Sequence, residues 1–187
     1  MAGDIPVAIA PDDDTLAVLR SVGGGDIYAV SLSGAWPARP LVTSPGYDGG
    51  ADFSPDGRWM VYASTDSGPS QVFLTPFPQV DRKWSVSTRG DTQPSFARSG
   101  RQIFYRDQAG LKAVDVEFTG DDVRLSQPRL LFTSPFAAGA LVTVANYDVT
   151  PDNDFVMMQT EPTPPRISVV LNWTSVLQRA LSAAPER

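Results

Sequence analysis

The chain has 187 residues, 42% of them apolar and 19% charged, enough for one domain, or one array of small repeats, with a sizeable core. A formal net charge of −6 and an isoelectric point near 4.5 argue against a nucleic-acid or acidic-membrane surface. The chain contains no Cys and no His, which excludes disulfides, thiolate nucleophiles, Cys/His zinc sites and every triad with an imidazole base. A hydrolase built on carboxylates alone remains open.

Seventeen prolines and fifteen glycines without a collagen period predict many turns and short strands. At the start, Met1-Ala-Gly-Asp-Ile-Pro6 has no basic stretch, and the apolar run from Ile5 to Ala10 is too short for a signal core. No window approaches the roughly 18 apolar residues of a spanning helix. A soluble chain with no membrane insertion is therefore expected. Val7-Ala-Ile-Ala10 reads as a first strand and runs into the tetrad Ala10-Pro11-Asp12-Asp13. That tetrad recurs as Ser54-Pro55-Asp56-Gly57, Ala97-Arg-Ser-Gly100 and Thr150-Pro151-Asp152-Asn153, at spacings of 44, 43 and 53 residues. Ile9, Phe53, Phe96 and Val149 precede the four tetrads; Leu16, Met60, Ile103 and Val156 lie three residues beyond them, and Val18, Tyr62, Tyr105 and Met158 two further on.

The tetrad has a turn's chemistry. Pro presets φ for the first central position, Asp or Ser next bonds local amides, and Asp, Gly or Asn at the fourth tolerates positive φ. Each tetrad thus reads as a hairpin tip between antiparallel strands. The mostly apolar runs that follow, such as Trp59-Met-Val-Tyr-Ala63, imply strands covered on both faces. Third strands are read at 27–32, 72–75, 111–116 and 167–171, and fourth strands at 39–43, 84–88 and 129–133. Four short strands at a period of 40–45 is the pattern of a β-propeller blade. The expected fold is all-β, a single propeller-type array of about four blades over 6–45, 50–89, 93–134 and 147–173. A C-terminal helix is expected over about 174–184, where Val176, Leu177, Ala180 and Leu181 form one apolar stripe.

These tetrads, above all Phe53-Ser-Pro-Asp-Gly57 with Tyr62, resemble the WD40-like (PD40) repeat of TolB-type propellers. The ending, Arg129-Leu-Leu-Phe132, Asn146-Tyr-Asp-Val-Thr-Pro-Asp152 and Val169-Val-Leu-Asn-Trp173, resembles the closing segment of propellers attached to bacterial serine/threonine kinases. The resemblance implies a non-catalytic binding or scaffolding module with a protein or peptide partner, the sensor part of a kinase or an envelope protein. It implies a periplasmic or extracytoplasmic location in that setting, and a cytoplasmic one otherwise. The family's rings have six or more blades, so further blades upstream or a homo-oligomer would complete this one. No kinase domain is present, since a histidine-containing catalytic loop is impossible here.

No catalytic residue, metal site or cofactor is expected. Asp12-Asp13-Asp14, and Asp121-Asp122 after Gly120, sit where turns favour Asp, and Asp152 with Asp154 lacks a third group to tune a pKa. Gly23-Gly-Gly25 lacks the Lys-Ser/Thr ending of a phosphate loop. The ligand-binding candidates are Trp36 in the Gly34-Ala-Trp-Pro loop, and Phe136 and Leu141 in the apolar, uncharged insertion Pro135–Asn146. The structural turn residues are Pro11, Asp12, Pro55, Asp56, Gly57, Gly100, Pro151, Asp152 and Asn153. The class-different alternative is a propeller-based hydrolase or peptidase accessory using carboxylates.

Overall fold

The computed structural model describes residues 3–21, 24–88, 90–120, 122–133, 145–152 and 154–158. Unit one is the antiparallel sheet β1 (Asp4–Ile9), β2 (Thr15–Arg20), β3 (Asp26–Ser31), β4 (Arg39–Val42), in that spatial order. Unit two repeats it with β5 (Asp48–Phe53), β6 (Trp59–Ser64), β7 (Gln71–Pro76) and β8 (Trp84–Ser85). Unit three contains β9 (Thr92–Phe96), β10 (Gln102–Arg106), β11 (Gly110–Thr119), β12 (Asp122–Leu125) and β13 (Arg129–Thr133). Here the ten-residue β11 pairs β13 with its first half and β12 with its second, a hairpin that the repeat period does not announce. Unit four is described as the pair β14 (Tyr147–Val149) and β15 (Phe155–Met157). The strand expected at 167–171, the helix at about 174–184, Asn153, Phe136 and Leu141 lie outside the described residues.

Several strands differ in length from the expectation, and two of the changes have a visible cause. β1 begins at Asp4 rather than Val7, because the Asp4 carboxylate receives both Arg20 Nε and Nη2, at 3.1 and 3.0 Å, across the pair. β8 is two residues long where five were expected, because Val86 N and Ser87 N both turn onto the carbonyl of Val72.

The middle strands are apolar on both faces because each separates two junctions. Met60 and Tyr62 of β6 pack back onto unit one with Ala17, Ile27 and Ala29, while Trp59 and Val61 pack forward onto unit three with Ile103, Tyr105 and Val114. β10 repeats the division: Ile103 and Tyr105 face unit two, and Phe104 faces Tyr147 and Val149 of unit four. Alternation at a period of two turns one buried strand into two half-cores. The first strands converge, β1 lying against β5, β5 against β9 and β9 against β14, as inner strands do around a propeller axis.

The first three tetrads close the same loop. Asp13 N, Gly57 N and Gly100 N donate to the carbonyls of Ala10, Ser54 and Ala97 at 2.8–3.1 Å, with φ of 57°, 68° and 69°. Successive tips stack: a Cβ on Gly57 would meet Pro11 at 3.7 Å, and one on Gly100 would meet Pro55 at 3.5 Å. Gly57→Val is expected to cost about 1–3 kcal/mol in urea unfolding, from backbone strain in a site with room for the side chain. Asp13→Gly should be neutral or mildly stabilising, and equal shifts of the same sign would contradict a shared turn.

The fourth hairpin is one residue tighter. Thr150 N donates to Asp154 O, whereas Ser54 N reaches across one more residue to Trp59 O. Val149 therefore pairs with Phe155, where Phe53 pairs with Met60. A slip of one residue exchanges the two faces of a strand. Phe155 and Met157 pack on unit three, and Val156 and Met158, read from the repeat as equivalents of Met60 and Tyr62, are exposed.

Candidate binding cleft

The inner strands line a cleft of about 490 Å³ to which all four units contribute: Val7 and Ile9, Asp52 and Phe53, Ser95 and Phe96, Asp148 and Val149. Asp13 and Arg98 of the tetrad tips stand at its margin. β-Bulges shape this wall, because the ladders shift register between Pro6 and Ala8 on β1 and between Gly49 and Asp52 on β5.

Asp52 is the polar centre of the wall. Its Oδ2 accepts from Ser95 Oγ at 3.0 Å and Phe96 N at 2.8 Å, so that one carboxylate ties the inner strands of units two and three together; Oδ1 accepts from Phe53 N at 2.9 Å. The side chain is half-buried, with protein atoms packed densely around it. Burial pushes its carboxyl above the usual carboxylate range, and the Phe96 amide, the Ser95 hydroxyl, the Phe53 amide and the Arg98 charge pull the other way. Asp148 stands at the same repeat position, its Oδ1 accepting from Val149 N at 2.7 Å.

The tetrad carboxylates serve their own turns. Asp12 accepts from Asp14 N, Thr15 N and Thr15 Oγ1 at 3.0, 2.8 and 2.6 Å, and Asp56 accepts from Ser54 Oγ at 2.6 Å and Arg58 N at 3.1 Å. The Thr15 hydroxyl and amide hold Asp12 below the usual carboxylate range. Pro151 and Asp152 are exposed in the fourth turn, apart from the cleft wall. Trp36 is half-buried, packed on the junction of units one and two, with the Arg39 guanidinium 5.4 Å from its ring centre. It lines a separate groove with Asp12, Arg39, Phe77 and Pro78. Gly24 and Gly25 turn at positive φ, and a Cβ on Gly25 would collide with the Tyr47 ring. Among the described residues no cluster of three or more Asp or Glu is placed to hold a metal ion.

A recurring acid stands at the other end of the first three inner strands, outside the tetrads that mark the repeat. Asp4, Asp48 and Asp91 each lie five residues before Ile9, Phe53 and Phe96. Asp4 is ion-paired with Arg20, whereas the residue opposite Asp48 is Ser64. Asp48 is fully buried, with the Ser64 and Ser44 hydroxyls and the Ser44 amide near its oxygens but not well aligned for hydrogen bonding. Burial pushes its carboxyl upward, offset in part by the nearby Ser64 and Ser44. A raised folded-state pKa makes the carboxyl harmless below the unfolded value and increasingly destabilising as pH rises from that value to the folded one. Asp48→Asn should therefore stabilise the fold at pH 7 by roughly 1–3 kcal/mol, with the gain vanishing near pH 3–4. Melting curves across pH check this; a loss of stability at pH 7 would contradict it.

No family profile matches the chain. Among solved structures, the protein assigned as TolB in Agrobacterium tumefaciens superposes with a TM-score of 0.59 at 19% identity, over 83% of this chain and 58% of that one. TolB from Acinetobacter baumannii gives 0.52 at 21%, over 73% and 36%. The chain carries a TolB-type propeller fold. A 49-residue stretch is also 41% identical to the Tol-Pal system protein TolB of Bordetella pertussis, covering 26% of this chain and 11% of that protein. The chain thus spans little more than half of one solved TolB and about a third of the other. Among the described residues no helix is long and apolar enough to cross a membrane.

Proposed function

We propose that the chain is a non-catalytic, protein-binding TolB-type propeller module that holds an extended segment of a partner across the cleft between its inner strands. One observation carries this reading: all four units bring their inner strands to one cleft, where the polar groups of Asp52, Asp148 and Arg98 stand beside apolar Ile9, Phe53 and Phe96. Concave sites with few polar groups on an apolar wall suit ligand binding. A relative named for the Tol-Pal system points to an envelope assembly, and the periplasm is the compartment proposed. A sensor or scaffold role beside a signalling kinase is the narrower version. It is suggested by Arg129–Phe132 and Asn146–Asp152, which fall on β13, β14 and the turn after it.

Fluorescence polarisation with short acidic, neutral and basic peptides tests the proposal. Arg98→Glu should change the preference between acidic and basic peptides by about tenfold, with strand content unchanged and Trp36→Ala without effect. Absence of binding, or indifference to Arg98→Glu, contradicts it. Generic ester, phosphate and glycoside substrates should not turn over, because no imidazole or thiolate exists to activate a nucleophile. Turnover abolished by Asp152→Asn in a folded protein would favour a carboxylate hydrolase instead.

A further inference from the structure

We infer that the groove at the tip end of the junction between units one and two holds an acidic, proline-rich segment of a partner protein, at a site separate from the inner cleft. The groove has a volume of about 390 Å³ and is lined by Trp36 and Arg39 of unit one and by Phe77 and Pro78 of unit two, with the tetrad residues Asp12 and Gly57. Phe77 meets Phe53 edge-on at 4.8 Å, and Trp36 packs on the same core. Both rings are thus held by the core while each remains only half-buried.

Arg39 gives the groove its charge. Its guanidinium lies 5.4 Å from the centre of the Trp36 ring and 6.0 Å from that of Phe77, and it makes no ion pair or side-chain hydrogen bond among the described residues. Asp12 does not neutralise it, because its oxygens serve Asp14 N, Thr15 N and Thr15 Oγ1. The next junction is an internal comparison. There Asp56, Gly100 and Phe118 line a groove of about 220 Å³, but Asp56 Oδ2 holds Arg58 Nε at 2.8 Å and Phe118 is stacked on Trp59. Arg58 stands where unit one has Asp14. The cation of the first groove therefore comes from β4, with no acid of the described residues assigned to it, and a ligand carboxylate matches its planar fork.

The occupant's backbone follows from the edge it meets. β4 is the outer strand of unit one, and Pro37 and Pro40 deprive that stretch of two amide donors. Regular strand addition is disfavoured at such an edge. A polyproline II segment needs no ladder bonds, and its proline rings suit a groove walled by Trp36 and Phe77.

Fluorescence polarisation with a labelled Pro-Pro-Glu repeat peptide tests this in the Arg98→Glu protein, which lacks the cation at the margin of the inner cleft. Saturable binding is expected, with Ala-Ala-Glu and Pro-Pro-Lys repeats at least about tenfold weaker. Arg39→Glu and Trp36→Ala should each raise the dissociation constant by at least about tenfold, with circular dichroism unchanged. Arg39→Gln, which removes the charge and keeps a side-chain stem over the rings, should also weaken binding. Arg101→Glu, the same change of charge at the next junction, should have no effect. Absence of saturable binding, equal affinity for the alanine repeat, or equal losses from Arg39→Glu and Arg101→Glu overturns the inference.

Discussion

Gly110→Ala is expected to lower stability by about 3–5 kcal/mol. Gly110 opens β11 opposite Thr133, with φ of 150°. A Cβ there would sit inside the van der Waals envelope of the Phe132 carbonyl oxygen and 2.9 Å from Thr133 Cα. Both obstacles are backbone, so no rotamer change relieves them. The turn before it cannot shift easily either, because Asp107 Oδ1 accepts from Ala109 N and Gly110 N at 2.8 and 3.0 Å while its other oxygen holds Lys112. The strand that must move is β13, whose Phe132 packs on the junction of units three and four. Gly34→Ala is the control: φ is also positive there, at 74°, but nothing lies within 4 Å, and a loss of only about 1 kcal/mol is expected. Urea unfolding of both variants compares them, and equal losses would show that crowding against β13 is not what matters.

Trp59→Ala is expected to cost about 3–5 kcal/mol. The indole stacks on Phe118 at 4.6 Å and meets Trp84 edge-on at 5.6 Å, within the cluster that joins units two and three. Its removal would leave a cavity bounded by two sheets, and each sheet is held by its own ladder. Neither can collapse into the space. Leu130→Ala, at an exposed position on β13, should change stability by less than about 0.5 kcal/mol. Thermal melts of the two variants test the contrast; a small loss for Trp59→Ala would place the strength of this junction in the strand ladders instead.

The cleft was only partly legible in the residues. Asp52 looks unremarkable beside Phe53 in one dimension, since its partners Ser95 and Phe96 are a full repeat away. Trp36 was the natural choice for an exposed contact in a loop rich in Gly and Pro, yet it packs against the junction of units one and two. Counting side chains within one unit cannot show what a neighbouring unit covers. The buried Asp48 had a usable signal in the recurrence of Asp4, Asp48 and Asp91 at one repeat position. Its burial did not, because that depends on the packing around it and on the register that sets Ser64 opposite it.

By itself the sequence determined the unit and its turn. The tetrad with Asp13, Gly57 or Gly100 at its fourth position accepts positive φ locally, and the two-sided apolar runs of β6 and β10 require cover on both faces wherever they are placed. Such features depend on φ preference and on side-chain alternation, which act over a few residues. The tertiary structure alone decided the facing of β15, the split pairing of β11 with β12 and β13, and the meeting of four inner strands at one cleft. The physical reason is that register and junction are settled by competition between whole faces. A one-residue change in the fourth turn costs little locally, yet it turns Phe155 and Met157 inward and Val156 and Met158 out.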